Sequence, residues 1–95
     1  MAKILLVEDD ESVREFVARA LETDRHGVVK AENGEEGLEL FIANENGFDL
    51  VLTDIQMPVM DGIEMSHSIA RAQAGQKILM MTGYANQRER AENLS

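Results

Sequence analysis

Asp49-Leu-Val-Leu-Thr-Asp54-Ile-Gln-Met-Pro58-Val-Met-Asp-Gly62 reads as a buried strand that ends in a carboxylate and then turns into a helix. Leu50, Val51 and Leu52 form a short apolar run with no helical period, as a strand covered on both faces does. The run stops at Thr53-Asp54. A carboxylate at the end of a buried strand is costly unless something pairs it. In an open parallel sheet that end is also where ligands bind. Met57-Pro58 forces extended backbone and a turn, and Asp61-Gly62 restarts the chain as a helix. Asp54 is therefore the candidate reactive centre.

Working outward, Lys3-Ile4-Leu5-Leu6-Val7 is a second buried strand, and it ends in Glu8, Asp9 and Asp10. Val13, Phe16, Val17, Ala20 and Leu21 share one helical face and predict a helix with that face inward. Val28 to Ala31 is a shorter strand of edge-like character. A helix from Asn33 carries Leu38, Phe41 and Ile42. A third, from about Gly62 to Ala74, carries Ile63, Ile69 and Ala70 inward. Lys77 to Met81 is a fourth strand ending at Thr82-Gly83, and a last helix begins near Asn86. Asn33…Glu36, Asp61…Glu64 and Asn86…Glu89 each have the spacing of a helix cap with a reciprocal Glu. Strict β/α alternation predicts an α/β fold, a flavodoxin-like doubly wound parallel sheet in the order 2-1-3-4.

The chain has 95 residues, enough for one domain over 1–95. Nine Lys and Arg against eighteen Asp and Glu give a net charge of −9. That balance argues against nucleic acid and anionic membrane as partners and permits a cation pocket. There is no Cys, so neither a disulfide nor a thiolate metal site is available. No apolar run approaches the ~20 residues of a membrane span. The expectation is a soluble cytoplasmic protein.

Parallel strands point their C-terminal ends the same way. With the first and third strands adjacent, Glu8, Asp9 and Asp54 share a pocket. Carboxylates that close raise one another's pKa, and a hard divalent cation removes the conflict. Mg²⁺ suits such oxygen ligands, and the Gln56 backbone carbonyl is a further candidate ligand. A carboxylate can attack phosphorus to form an acyl phosphate. Thr82 offers a hydroxyl to the transferring oxygens, with backbone N–H groups near Ile55 and Gly83. Each residue alone has a plainer reading: Asp54 as a loop acid, Glu8 to Asp10 as a solvated turn, Thr82 as a turn residue. Their coincidence at strand ends of one alternating chain favours the site.

Three stretches carry a family resemblance: Ile4-Leu-Leu-Val-Glu-Asp-Asp10, Asp54-Ile-Gln-Met-Pro-Val-Met-Asp-Gly62 and Ile78-Leu-Met-Met-Thr-Gly-Tyr-Ala85. The chain resembles the receiver domain of two-component response regulators, CheY being the simplest form. The resemblance implies that Asp54 accepts a phosphoryl group from a histidine kinase or phosphotransfer protein. It implies that Glu8, Asp9, Asp54 and the Gln56 carbonyl hold Mg²⁺, one acid through water, and that Thr82 is the switch hydroxyl beside Gly83. Asp10 is then an extra acid outside the metal's ligands. The first and last helical stretches are also similar to CpdR-type single-domain regulators, which implies a downstream protein partner in the form of an ATP-dependent protease.

The chain departs from the receiver pattern at its end. Receivers continue through a fifth strand ending in Lys-Pro and a fifth helix. Lys77 starts a strand at the opposite end of the sheet and is no substitute, nor is Tyr84 for the aromatic switch residue of the fifth strand. The expectation is a truncated receiver with the fourth strand as an open edge, forming a dimer or exchanged oligomer. Two further readings stand beside it. One is an adaptor or oligomerisation module impaired in phosphorylation. The other is a Mg²⁺-dependent aspartyl phosphatase; those enzymes place a second Asp where Gln56 stands, and no cap domain fits. The chain is therefore expected not to be an enzyme.

Overall fold

The computed structural model describes residues 1–81. Its elements are β1 (Lys3–Val7), α1 (Glu11–Thr23), β2 (Gly27–Ala31), α2 (Gly34–Ala43), β3 (Leu50–Asp54), α3 (Gly62–Ala72) and β4 (Ile78–Met81). All strand pairs are parallel, in the order β2-β1-β3-β4. The flavodoxin-like order read from the sequence is the one observed. Thr82, Gly83, Tyr84 and the helix expected from Asn86 lie outside the described residues.

Two cores flank the sheet. On one face Leu5, Val7 and Val51 pack with Phe41 of α2 and with Met65 and Ile69 of α3. On the other, Ile4, Leu6 and Leu52 pack with Ala18 of α1. Helices on both faces explain why β1 and β3 are apolar throughout instead of alternating. Asp49 precedes β3 and ties its start to β1. Its carboxylate accepts from the Lys3 N–H at 2.7 Å, and its own N–H donates to the Lys3 carbonyl at 2.8 Å.

The expected helix caps at Asn33 and Asp61 are present, accepting from the Glu36 and Glu64 N–H groups at 2.9 and 2.8 Å. Asp10 caps α1 in the same way, accepting from Val13 at 3.0 Å. The expected inward faces of α1 and α3 need correction. In α1, Ala18 is buried and Val17 and Leu21 pack against it, while Ala20 is exposed and Phe16 is 76% exposed. The small Ala18 side chain lets the helix approach the sheet closely. The apolar stripe is wider than the surface the described residues offer it. In α3 the inward residues are Gly62, Met65, Ser66 and Ile69, and Ile63 and Ala70 face out. In α2 Ile42 is exposed, because Gly34, Gly37 and Phe41 form the contact side.

Two glycines set how closely the β3–α3 loop approaches its neighbours. A Cβ at Gly62 would collide with the Asp54 carbonyl oxygen, and one at Gly34 with the Met60 carbonyl oxygen. Each glycine uses the approach for a backbone bond, Gly62 N–H to Ile55 at 2.8 Å and Gly34 N–H to Met60 at 3.0 Å. Between them the Met60 N–H donates to the Pro58 carbonyl at 2.8 Å, closing a three-residue turn. Its centre, Val59, has φ 70°, a left-handed conformation that β-branched residues rarely adopt.

Two substitutions in this loop are expected to act in opposite directions. Gly62→Ala should lower unfolding stability by about 2 kcal/mol or more through the forced backbone shift. Val59→Gly, at an exposed site, should raise it by up to about 1 kcal/mol by relieving the left-handed strain. Urea denaturation followed by circular dichroism measures both, and a stabilised Ala variant or a destabilised Gly variant contradicts this loop geometry.

Candidate functional site

The register of the two central strands builds the site. Val7 lies beside Thr53, so the next residues, Glu8 and Asp54, leave adjacent strand ends together. Here the chain's connections diverge, β1 leading outward to β2 on one side and β3 to β4 on the other. That divergence is the switch point at which open α/β sheets place ligands. Glu8, Asp9 and Asp54 each offer a carboxylate oxygen there, and these oxygens lie within 4.8 Å of one another. Glu8 is buried at 5% exposure, Asp54 is half-buried and Asp9 is exposed.

Local bonds fix the site's two arms. The Glu8 N–H donates to Ala31 of β2 at 3.0 Å, and the Glu8 carboxylate accepts from the Asp10 N–H at 2.9 Å. The Glu8 carbonyl accepts from the Arg14 guanidinium at 2.8 Å. On the other arm Asp54 Oδ1 accepts from the Ile55 N–H at 2.8 Å, and the Gln56 N–H also favours the charged Asp54 carboxylate. Thr53, wholly buried, satisfies its hydroxyl on the Asp54 carbonyl at 2.9 Å.

Of the residues proposed from sequence, Glu8, Asp9 and Asp54 meet. Gln56 lies two residues beyond Asp54, exposed. Thr82 and Gly83 lie outside the described residues. Asp10 points its carboxylate at the start of α1 and not into the cluster. Sequence reasoning missed Arg14, whose partner is a main-chain carbonyl. It also missed Gly34, whose approach to the Met60 carbonyl joins residues 26 positions apart. Only the three-dimensional neighbour reveals either one.

The cluster suits a hard divalent cation. Three carboxylate oxygens within a few ångströms, one on a buried side chain, match the donor type and charge that Mg²⁺ takes. The chemistry available is that of an anionic oxygen nucleophile beside a cation site.

Residues 4–95 match the family described as response regulator receiver domain. CpdR, a response regulator receiver protein of Brucella abortus, is 41% identical over 85 residues, covering 90% of this chain and 69% of that protein. Some longer transcriptional regulators also match, and the chain spans 19% of such a relative. The crystal structure of the response regulator protein TrrA of Thermotoga maritima, in complex with Mg²⁺-BeF, superposes with a TM-score of 0.83. It is 35% identical, with 94% of this chain and 76% of that one covered. A chain of the crystal structure of histidine kinase ThkA in complex with response regulator protein TrrA also matches, with a TM-score of 0.78 and 26% identity, covering 99% of this chain and 98% of that one.

Crowding has an electrostatic cost. Burial pushes the Glu8 carboxyl from an ordinary 4.5 up to about 7. The Asp10 N–H opposes this, while the Asp9 carboxyl and the Asp54 charge add to it. Burial also raises Asp54, against the pull of the Ile55 and Gln56 N–H groups and with the help of the Asp9 charge. Between pH 4.5 and about 7 the folded chain holds a Glu8 proton that the unfolded chain has released. Stability from this group is present below that window and is lost as pH rises through it. In metal-free buffer Glu8→Gln should therefore be the more stable protein at about pH 7.5, by on the order of 2 kcal/mol, with the gap closing toward about pH 4.5. Mg²⁺ should raise the parent's melting temperature at the higher pH and far less at the lower. Thermal melts across that range check this, and a gap that widens on acidification contradicts it.

Proposed function

The chain belongs to the response regulator receiver domain family, and on that premise we propose that it takes a phosphoryl group on Asp54 from a histidine kinase or phosphotransfer protein. Receiver domains are parts of two-component systems and act as signalling modules. They bind Mg²⁺. The observation that carries the proposal is the placement of Asp54 at the end of β3, its carboxylate gathered with those of Glu8 and Asp9.

Under this reading residues 1–95 form one receiver unit. Glu8, Asp9, Asp54 and the Gln56 carbonyl hold Mg²⁺, which when bound neutralises charge on the transferring oxygens. Asp54 is the nucleophile. A carboxylate oxygen attacks the phosphorus of a phosphohistidine and a P–O bond forms. The P–N bond breaks, its electron pair goes to the imidazole nitrogen, and that nitrogen takes up a proton. The Ile55 and Gln56 N–H groups orient the carboxylate. Thr82 and Gly83 supply contacts to the phosphoryl oxygens. The new phosphate adds about −1.5 to −2 of charge and three strong acceptors. That charge alters the surface offered to a downstream protein partner. The kinase–regulator pair above, a structural neighbour of this chain, supports a histidine kinase as donor.

Self-association is part of the proposal. β4 is an edge strand among the described residues, and its Leu79 is 56% exposed. Light scattering at tens of micromolar should show a dimer that Leu79→Lys disperses. A parent that stays monomeric rules this part out.

Intact mass after treatment with acetyl phosphate and Mg²⁺ tests the central claim. The parent should gain one phosphoryl group, Asp54→Asn should gain none, and chelation should abolish the gain. Uptake by the Asn variant, or none by a parent that binds Mg²⁺, overturns the assignment of Asp54.

A further inference from the structure

We infer that Arg14 is a positioning residue for the Glu8–Asp9 pair, setting Mg²⁺ affinity by holding the peptide that joins the two acids. The inference rests on the metal-binding half of the reading above.

Arg14 is the fourth residue of α1. Its N–H makes an early backbone bond of the helix, to the Asp10 carbonyl at 2.8 Å. Side chains on a helix lean toward its N-terminus. An arginine at this position therefore reaches back over the turn that precedes α1. There Nη1 donates to the Glu8 carbonyl at 2.8 Å. That carbonyl belongs to the Glu8–Asp9 peptide, so the bond fixes the orientation of the unit from which both carboxylates extend.

The choice of acceptor is informative. A cation beside three carboxylates has ion pairing available, yet among the described residues the ion pair is Lys30 with Glu15 at 3.0 Å. Arg14 spends its bond on main chain. Its contribution is therefore geometry more than neutralisation, and a planar, fixed fork of donors suits that task better than an ammonium.

The rest of the turn shows why this matters most for Asp9. Glu8 is held on three sides, by Ala31 through its N–H, by the Asp10 N–H through its carboxylate and by Arg14 through its carbonyl. Asp10 is committed to capping α1. Asp9 is exposed, with a carboxylate oxygen within 4.8 Å of those of Glu8 and Asp54. Where the Asp9 carboxylate sits thus depends on the peptide before it. Groups that orient ligands from behind typically change metal affinity by 10–100-fold when removed.

The test is calorimetric titration of Mg²⁺ into the full chain, with Arg14→Met, Arg14→Lys and, as a control on the same helix, Arg19→Ala. Arg14→Met should weaken the Mg²⁺ Kd by roughly tenfold. The rate of phosphoryl uptake from acetyl phosphate at saturating Mg²⁺ should stay close to the parent's. Arg14→Lys should recover part of the affinity, and Arg19→Ala should bind as the parent does. A merely structural role would lower the melting temperature and leave the Mg²⁺ Kd unmoved. If Arg14→Met does not fold, Arg14→Gln replaces it in the same comparison. Parent-like Mg²⁺ affinity in folded Arg14→Met or Arg14→Gln overturns this inference alone. A parent that binds no Mg²⁺ overturns it together with the reading of the site.

Discussion

Lateral pairing of β1 with β3 is the constraint on which the rest of this structure depends. The register that sets Val7 against Thr53 makes the core continuous, since Leu5, Leu6, Val7, Val51 and Thr53 are all buried completely. The same register carries Glu8 and Asp54 to one spot. The protein cannot have the apolar joint without the acidic one. Burial of Glu8 beside other carboxylates is a standing electrostatic cost. It is tolerated because backbone N–H groups from Asp10, Ile55 and Gln56 each stabilise one of the charges. Those donors lie on turns, and each turn is in turn fixed by the helix that follows it.

The acceptor loop shows how tightly that last step is specified. Between Asp54 and α3 the chain must clear the end of β3, reach the start of α2 and return. Glycines at 34 and 62 remove side chains where backbones meet, and Val59 takes a left-handed conformation to turn the Met60 carbonyl toward α2. The strain at Val59 is local, and the bonds at Gly34 and Gly62 hold it in place. The loop is thus braced from both sides and fastened to α2 as well as to its own helix.

Much of this was readable in the amino-acid sequence because the signals were local or followed from topology. Apolar runs of strand length marked β1 and β3, and alternation with helical periods fixed the sheet order. Parallel strands then brought Glu8, Asp9 and Asp54 to one end without any knowledge of side-chain positions. Helix phase was less legible. Phe16, Ile42 and Ile63 are apolar by composition, but their orientation depends on which small residue meets the sheet, Ala18 in α1 and Gly37, against Val7, in α2. Asp10 was hidden because Val13 stands where a reciprocal Glu would complete the cap pattern. Arg14 and Gly34 were hidden because their partners are a main-chain carbonyl and a distant loop, and neither leaves a trace in spacing.

The parallel joint between β1 and β3 also has a kinetic consequence. Glu8 and Asp54 are brought together only by a contact that closes a long loop containing α1, β2 and α2. Such non-local pairings form late, because chain entropy is lost before the contact repays it. The acidic cluster therefore does not exist in early, locally structured states. A chain that has formed its helices but not this joint carries Asp54 far from Glu8 and Asp9, free of its repulsion and without the three-carboxylate cluster. Whatever binds there recognises completion of the sheet, so ligand binding draws on the folded population alone and protects the fold as a whole.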